Sequence, residues 1–171
     1  IKNYMNSNLT AIVTGGNAGL GFATAKKLCD EGITTYLIGR NKEKTLNACA
    51  EIGEKAKPFI LDLTELDKIP DAITEIAKEA GKIDILVNNA GVPDARRAHR
   101  MPLEVVDAVL ETNVRAPWLL STALAGRLIA QGLPGRIVNI SSMSAFHYSG
   151  EGAALYSTTK AALNRMTETL A

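Results

Sequence analysis

The segment Thr14-Gly15-Gly16-Asn17-Ala18-Gly19-Leu20-Gly21 follows a short apolar run, Ala11–Val13, and opens directly into a stretch of helical period. Strand, tight turn and helix joined this closely form the first half of a βα unit. Glycine suits such a turn because it has no Cβ. The backbone can fold back on itself and come close to a pyrophosphate, whose charge then sits at the positive end of the helix. Gly15, Asn17, Gly19, Leu20 and Gly21 are therefore candidate cofactor-binding residues. A glycine turn without a ligand is the plain alternative, and the strand–turn–helix context favours the dinucleotide.

The rest of the chain repeats the unit. Short β-branched runs at Ala11–Val13, Thr35–Ile38, Pro58–Leu61, Ile83–Val87 and Arg136–Ile140 alternate with helical patterns at Gly19–Glu31, Lys42–Glu54, Ile69–Ala80, Pro102–Ala130 and Tyr156–Ala171. Such alternation predicts an α/β fold with a doubly wound parallel sheet. In the first helix, the register Leu20, Ala23, Thr24, Lys27, Leu28 is expected to lay its apolar residues on the sheet, with Lys26, Lys27 and Asp30 largely on the other face. The pattern from Pro102 to Ala130 is long, and Pro117 is expected to bend it. At 171 residues one domain is expected.

Composition excludes several classes. A net charge of +1 gives no general attraction to nucleic acid or an anionic membrane. There is no apolar run of about 18 residues and no charged-then-apolar leader, so the sequence predicts a cytoplasmic protein without a membrane span. Ile1–Tyr4, ahead of Met5, reads as leader sequence. Cys29 and Cys49 lie in helical stretches and read as reduced thiols; with His99 and His147 they show no metal-ligand spacing, and no metal is expected.

Cofactor choice is read at the end of the second strand, where an acid chelates the ribose of NAD and a basic residue receives the 2′-phosphate of NADP. The sequence there is Gly39-Arg40-Asn41, with no carboxylate before Glu43. Arg40, a planar multidentate phosphate donor, points to NADP, with NAD as the alternative.

The chain also carries LDLT (Leu61–Thr64), NNAG (Asn88–Gly91), ETNV around Asn113, NISS (Asn139–Ser142) and YSTTK (Tyr156–Lys160). With the glycine segment and in this order, these motifs resemble the short-chain dehydrogenase/reductase family, from about Leu9 to the last residue. The resemblance implies a Rossmann fold and a small-molecule carbonyl or alcohol substrate. It places Asp62 and Leu63 beside the adenine, and Asn89, Ala90 and Gly91 along the cofactor. Asp62 could equally cap the helix that follows. The resemblance also implies a homodimer or homotetramer through the long helix and the Tyr156 helix, where Ala161, Leu163 and Met166 suit a partner or the core alike. Members of the family continue through two further strands and a segment that closes over the substrate, so the sequence is expected to be part of a longer protein lacking those C-terminal strands here.

Tyr156 and Lys160, four apart, share a helix face. A free tyrosine keeps its proton to about pH 10, and bringing it toward neutrality takes roughly 3–4 kcal/mol, which a nearby ammonium can supply in large part. The family pattern sets Ser142 against the substrate oxygen, with Ser141 as the neighbouring alternative, and has Asn113 hold a water in a proton relay from Lys160. The expected catalytic set is thus Asn113, Ser142, Tyr156 and Lys160, with Tyr156 and Lys160 also touching the cofactor. His147 and Tyr148 are placed by sequence to line a substrate pocket, although for His147 the plainer reading, a loop histidine without a role, is the favoured one. The expected function is oxidoreduction. The alternative is a non-catalytic dinucleotide-binding sensor or scaffold.

Overall fold

A computed structural model describes residues 9–94, 96–147 and 149–171. The readings placed on Ile1–Tyr4 and Tyr148 lie outside the described residues. Strands β1 (Thr10–Thr14), β2 (Thr34–Gly39), β3 (Ala56–Ile60), β4 (Ile85–Asn88) and β5 (Arg136–Asn139) form a single parallel sheet in the order β3-β2-β1-β4-β5. All five expected strands occur, with ends shifted by no more than two residues. Pro58 fits β3 because β3 is an edge strand, where a residue without an N–H breaks no ladder on the solvent side.

Helices α1 (Gly19–Asp30), α2 (Lys42–Ile52), α3 (Ile69–Ala80), α4 (Leu103–Leu110), α5 (Ala116–Gln131) and α6 (Ala154–Leu170) connect and cover the strands. Consecutive strand residues point to opposite faces. Ile12, Ile38 and Leu86 meet Ile69, Ile73 and Ile76 of α3 and Leu120 and Leu124 of α5. Val13, Leu37 and Val87 meet Ala25 and Cys29 of α1 and Ala48 and Cys49 of α2. Both faces of the central strands are therefore dry, as a parallel sheet requires. Burial holds the two thiols protonated, that of Cys49 up to about 11.

Chain order runs outward from β1 in both directions, through β2 to β3 and through β4 to β5. The loops leaving β1 and β4 therefore diverge, and a crevice opens between them at the carboxyl ends of the strands. On the β4 side, Asn88 Nδ2 donates to Ser121 Oγ of α5 at 3.1 Å and to Asn139 Oδ1 of β5 at 2.8 Å. Asn139 Nδ2 donates in turn to Thr167 Oγ1 of α6 at 2.8 Å. This polar chain ties the outermost strand to both covering helices. Ile137 and Val138 of β5 nevertheless remain exposed.

Two expectations need correction. The face of α1 on the sheet is Gly21, Ala25 and Cys29, with Phe22 and Leu28 packed at its edge; Leu20 is 61% exposed and Ala23 also faces solvent, while Lys26, Lys27 and Asp30 lie outward as expected. The cause is steric. A Cβ at Gly21 would lie 2.2 Å from the Gly15 carbonyl oxygen, so the glycine side must turn inward. The long helix is not continuous α either. A π-helical segment, Glu111–Arg115, separates α4 from α5, and the irregularity lies just ahead of Pro117. Proline offers no N–H to the carbonyl of Asn113 four residues back, so the ordinary helical ladder fails there. In α6, Leu163 and Met166 are buried within the chain while Ala161 is exposed.

Gly21→Ala should cost about 3 kcal/mol through this overlap. Gly19→Ala should cost only about 1–2 kcal/mol, since φ is +52° but no heavy atom lies within 4 Å of the added Cβ. Urea unfolding of the two variants checks the difference, and equal losses would contradict the close approach of α1 to the loop.

Candidate active site

The loops after β1 and β4 are bolted together at the crevice floor. Thr14 Oγ1 accepts from the backbone N–H groups of Asn89 and Ala90, each at 3.0 Å. Asn89 Nδ2 donates to the carbonyl of Thr14 at 3.0 Å and more weakly to that of Gly15 at 3.4 Å. The side chain of Asn89 is thereby occupied in holding the glycine turn, and it does not line the cleft.

The cleft above has a volume of about 400 Å³, within the range of small-molecule sites. Of the residues singled out in the sequence, it gathers Gly15, Asn17, Arg40, Asp62, Leu63, Ala90 and Gly91. Gly19, Leu20 and Gly21 are not among its lining residues; Gly19 borders a shallower neighbouring groove. Gly15 has φ +62°, a conformation that glycine adopts at no steric cost, and its N–H donates to the Ile38 carbonyl at 2.8 Å.

A second clamp fixes the other wall. Asn17 Nδ2 donates to Thr45 Oγ1 at 3.0 Å, and Thr45 Oγ1 donates to the Asn41 carbonyl at 2.8 Å. The Asn41 side chain caps α2 by accepting from Lys44 N at 2.9 Å. A Cβ at Gly39 would stand 2.5 Å from both Asn17 Nδ2 and Thr45 Oγ1. An acidic side chain at Gly39 is thus excluded while this clamp holds. Asp62 accepts from the Thr64 N–H at 3.0 Å and from Thr64 Oγ1 at 2.9 Å. The Thr64 N–H foremost, then the Thr64 hydroxyl and the nearby Arg40 charge, hold its carboxyl below the usual carboxylate range against the opposing effect of burial. Both of its readings are compatible with this: it lines the cleft and also ties down the turn ahead of α3.

The candidate catalytic residues adjoin the cleft at Gly91. A Cβ there would lie 3.4 Å from Lys160 Nζ and 3.6 Å from Asn113 Oδ1. Lys160 is only 3% exposed; Nζ donates to the Ile140 carbonyl at 2.7 Å and lies 5.7 Å from the centroid of the Tyr156 ring. Burial lowers the Lys160 pKa. Asn113, also buried, accepts from Val92 N at 2.8 Å through Oδ1, while Nδ2 donates to the Val92 carbonyl and to Thr159 Oγ1, each at 3.1 Å. Its side chain is therefore spent on protein partners, and the backbone carbonyl opposite Pro117 is the group left without its usual helical donor. Ser141 Oγ donates to the Lys160 carbonyl at 3.4 Å. Ser142 Oγ accepts from Ser144 N at 3.2 Å and Ser144 Oγ at 2.8 Å, which leaves its own proton to give. His147 is exposed.

Sequence reasoning missed Thr14, Thr45, Ser144 and Thr159. Thr159 is fully buried, and its hydroxyl donates to the Tyr156 carbonyl at 2.7 Å while accepting from Asn113. The available signal was a hydroxyl three residues after Tyr156, on the same helix face. Thr45 carried none, since only the fold brings it to the glycine turn.

Because the Asp62 pKa is depressed in the folded chain, its contribution to stability is present above its unfolded pKa and is lost as pH falls through the folded one. Asp62→Ala should therefore destabilise the chain by about 1 kcal/mol at pH 7, after allowing for partial exposure. The difference should close as pH drops below about 3.8. Thermal unfolding across that range measures it, and a gap independent of pH would refute the carboxylate's role.

Residues 9–171 match the family model described as short chain dehydrogenase. Gluconate 5-dehydrogenase of Gluconobacter oxydans is 35% identical over 96% of the chain, which spans 65% of that protein's length. A metagenomic short-chain oxidoreductase solved in complex with NADP superposes with a TM-score of 0.91 at 35% identity, covering 98% of this chain and 76% of that one. An NAD+-bound xylitol dehydrogenase gives 0.89 at 32% identity, covering 99% and 65%. With its motifs joined around one cleft as described, the chain belongs to the short-chain dehydrogenase family.

Proposed function

We propose that the protein containing this chain is an NADP(H)-dependent oxidoreductase that interconverts a carbonyl and an alcohol. The observation that carries the proposal is Lys160: a buried ammonium-bearing side chain lying at once beside the backbone of Gly91 in the cleft and beside the ring of Tyr156. A structural lysine is seldom buried so fully without a carboxylate partner, whereas a tyrosine that must lose its proton near neutral pH needs such a charge.

The cleft fits a nicotinamide dinucleotide. Gly15 and Gly91 present backbone to the cleft, and the clamp around Gly39 leaves no room for the acid that would select NAD. Arg40, Asp62, Leu63, Ala90 and Gly91 would hold the cofactor. When bound, it supplies or takes up the hydride. Tyr156 gives a proton to the carbonyl oxygen during reduction and removes it during oxidation. Ser142 donates a hydrogen bond to the same oxygen, its hydroxyl proton kept free by the two bonds it accepts from Ser144. Lys160 stabilises the tyrosinate. Asn113 serves the relay through its backbone carbonyl, its side chain being committed to Val92 and Thr159. The named relatives, a gluconate dehydrogenase and a xylitol dehydrogenase, support alcohol–carbonyl chemistry as the class.

Tyr156→Phe should reduce turnover of responsive aldehydes, ketones or polyols by roughly 10²- to 10⁴-fold, while NADPH affinity changes less than about twofold. Parallel steady-state assays and fluorescence titrations check this. A variant that retains turnover would refute the role of Tyr156. Wild-type cofactor binding without turnover on any carbonyl would instead favour a sensor.

A further inference from the structure

We infer that Lys44 is a second specificity-determining cation of the cleft, sharing the 2′-phosphate of the cofactor with Arg40. This rests on the dinucleotide reading above and deepens it.

Among the described residues, charge in the cleft lining comes from three side chains: Arg40, Lys44 and Asp62. Arg40 and Asp62 act on one another, since the Arg40 charge helps to keep the Asp62 carboxyl ionised. Part of the arginine's field is thereby answered within the protein. Among the described residues neither Arg40 nor Lys44 enters an ion pair, and Glu51, the acid in the lining of the adjoining groove, is not paired with the lysine. The two cations outnumber the one carboxylate, so this end of the cleft carries surplus positive charge to which Lys44 contributes.

The same clamp that excludes an acid at Gly39 plants the base of this lysine. Lys44 N is held by the Asn41 side chain at 2.9 Å, and the next residue, Thr45, is tied to Asn17 of the glycine loop at 3.0 Å. The backbone is fixed to the wall of the cleft while the side chain is exposed. A fixed root with a free ammonium suits a point-charge phosphate ligand, just as the planar guanidinium of Arg40 suits a bidentate one. Removal of the ribose-binding acid and provision of a phosphate-binding base thus follow from one local arrangement. Sequence reading at Gly39-Arg40-Asn41 stopped one helical turn short of it.

The test is calorimetric titration of the chain and of its Lys44→Gln, Arg40→Gln and doubly substituted variants with 2′,5′-ADP, with 5′-AMP and with inorganic phosphate. Lys44→Gln should weaken 2′,5′-ADP binding about tenfold, more at low salt, and leave 5′-AMP within about twofold. Arg40→Gln should retain part of the preference for 2′,5′-ADP over 5′-AMP, and the double variant should lose it. Unchanged 2′,5′-ADP binding in Lys44→Gln, or an equal loss for both nucleotides, overturns the assignment to Lys44 alone. Inorganic phosphate binding the wild type as tightly as 2′,5′-ADP would assign the cations to a free anion and likewise overturn it. A wild type that binds neither nucleotide overturns this inference together with the dinucleotide reading.

Discussion

Thr14 and Asn89 sit where the strand order reverses, and their hydrogen bonds join the loop after β1 to the loop after β4. Each loop alone would be a surface turn with free backbone groups. Joined, they form a floor rigid enough for α1 to approach within contact of the Gly15 carbonyl, which only a glycine at position 21 permits. Everything functional is built outward from that floor. The cleft rises between the diverging chains, Gly91 carries it to Lys160, and Val92 anchors the side chain of Asn113.

The candidate catalytic end is held by a second set of bonds that spans three elements. The π-helical segment turns Asn113 inward to saturate the backbone of Val92, and its remaining N–H reaches Thr159 on α6. Thr159 in turn holds the carbonyl of Tyr156. The loop after β4, the interrupted long helix and the first turns of α6 are therefore one hydrogen-bonded unit, so the spacing between Tyr156, Lys160 and the cleft is set by buried polar contacts that are costly to leave unmade. A lysine can remain buried there because the Ile140 carbonyl accepts from it.

Much of this was legible in the sequence, for reasons that differ by residue. The central strands were visible because both sheet faces are covered there, which leaves short apolar-rich runs such as Ala11–Val13 and Thr35–Ile38. The bounds of α3, Ile69–Ala80, were read correctly because its apolar stripe packs on the sheet without interruption. The face of α1 was misread because hydrophobicity was weighed ahead of size: Leu20 is the larger apolar residue, yet the sheet takes Gly21. Pro117 signalled disorder in the helical ladder but not its position, since the missing N–H is felt four residues earlier, at Asn113. Clamps such as Asn17–Thr45 join residues 28 apart in sequence and leave no periodic trace.

The central claim is that the diverging loops form one nucleotide cleft, and amide hydrogen exchange with and without NADPH tests it most directly. The account predicts added protection confined to Gly15–Gly21, Gly39–Lys44, Leu61–Leu63 and Asn89–Val92, with β5 and the exposed end of α6 unchanged. Protection spread evenly over the chain, or absent from these four segments at saturating NADPH, would contradict it.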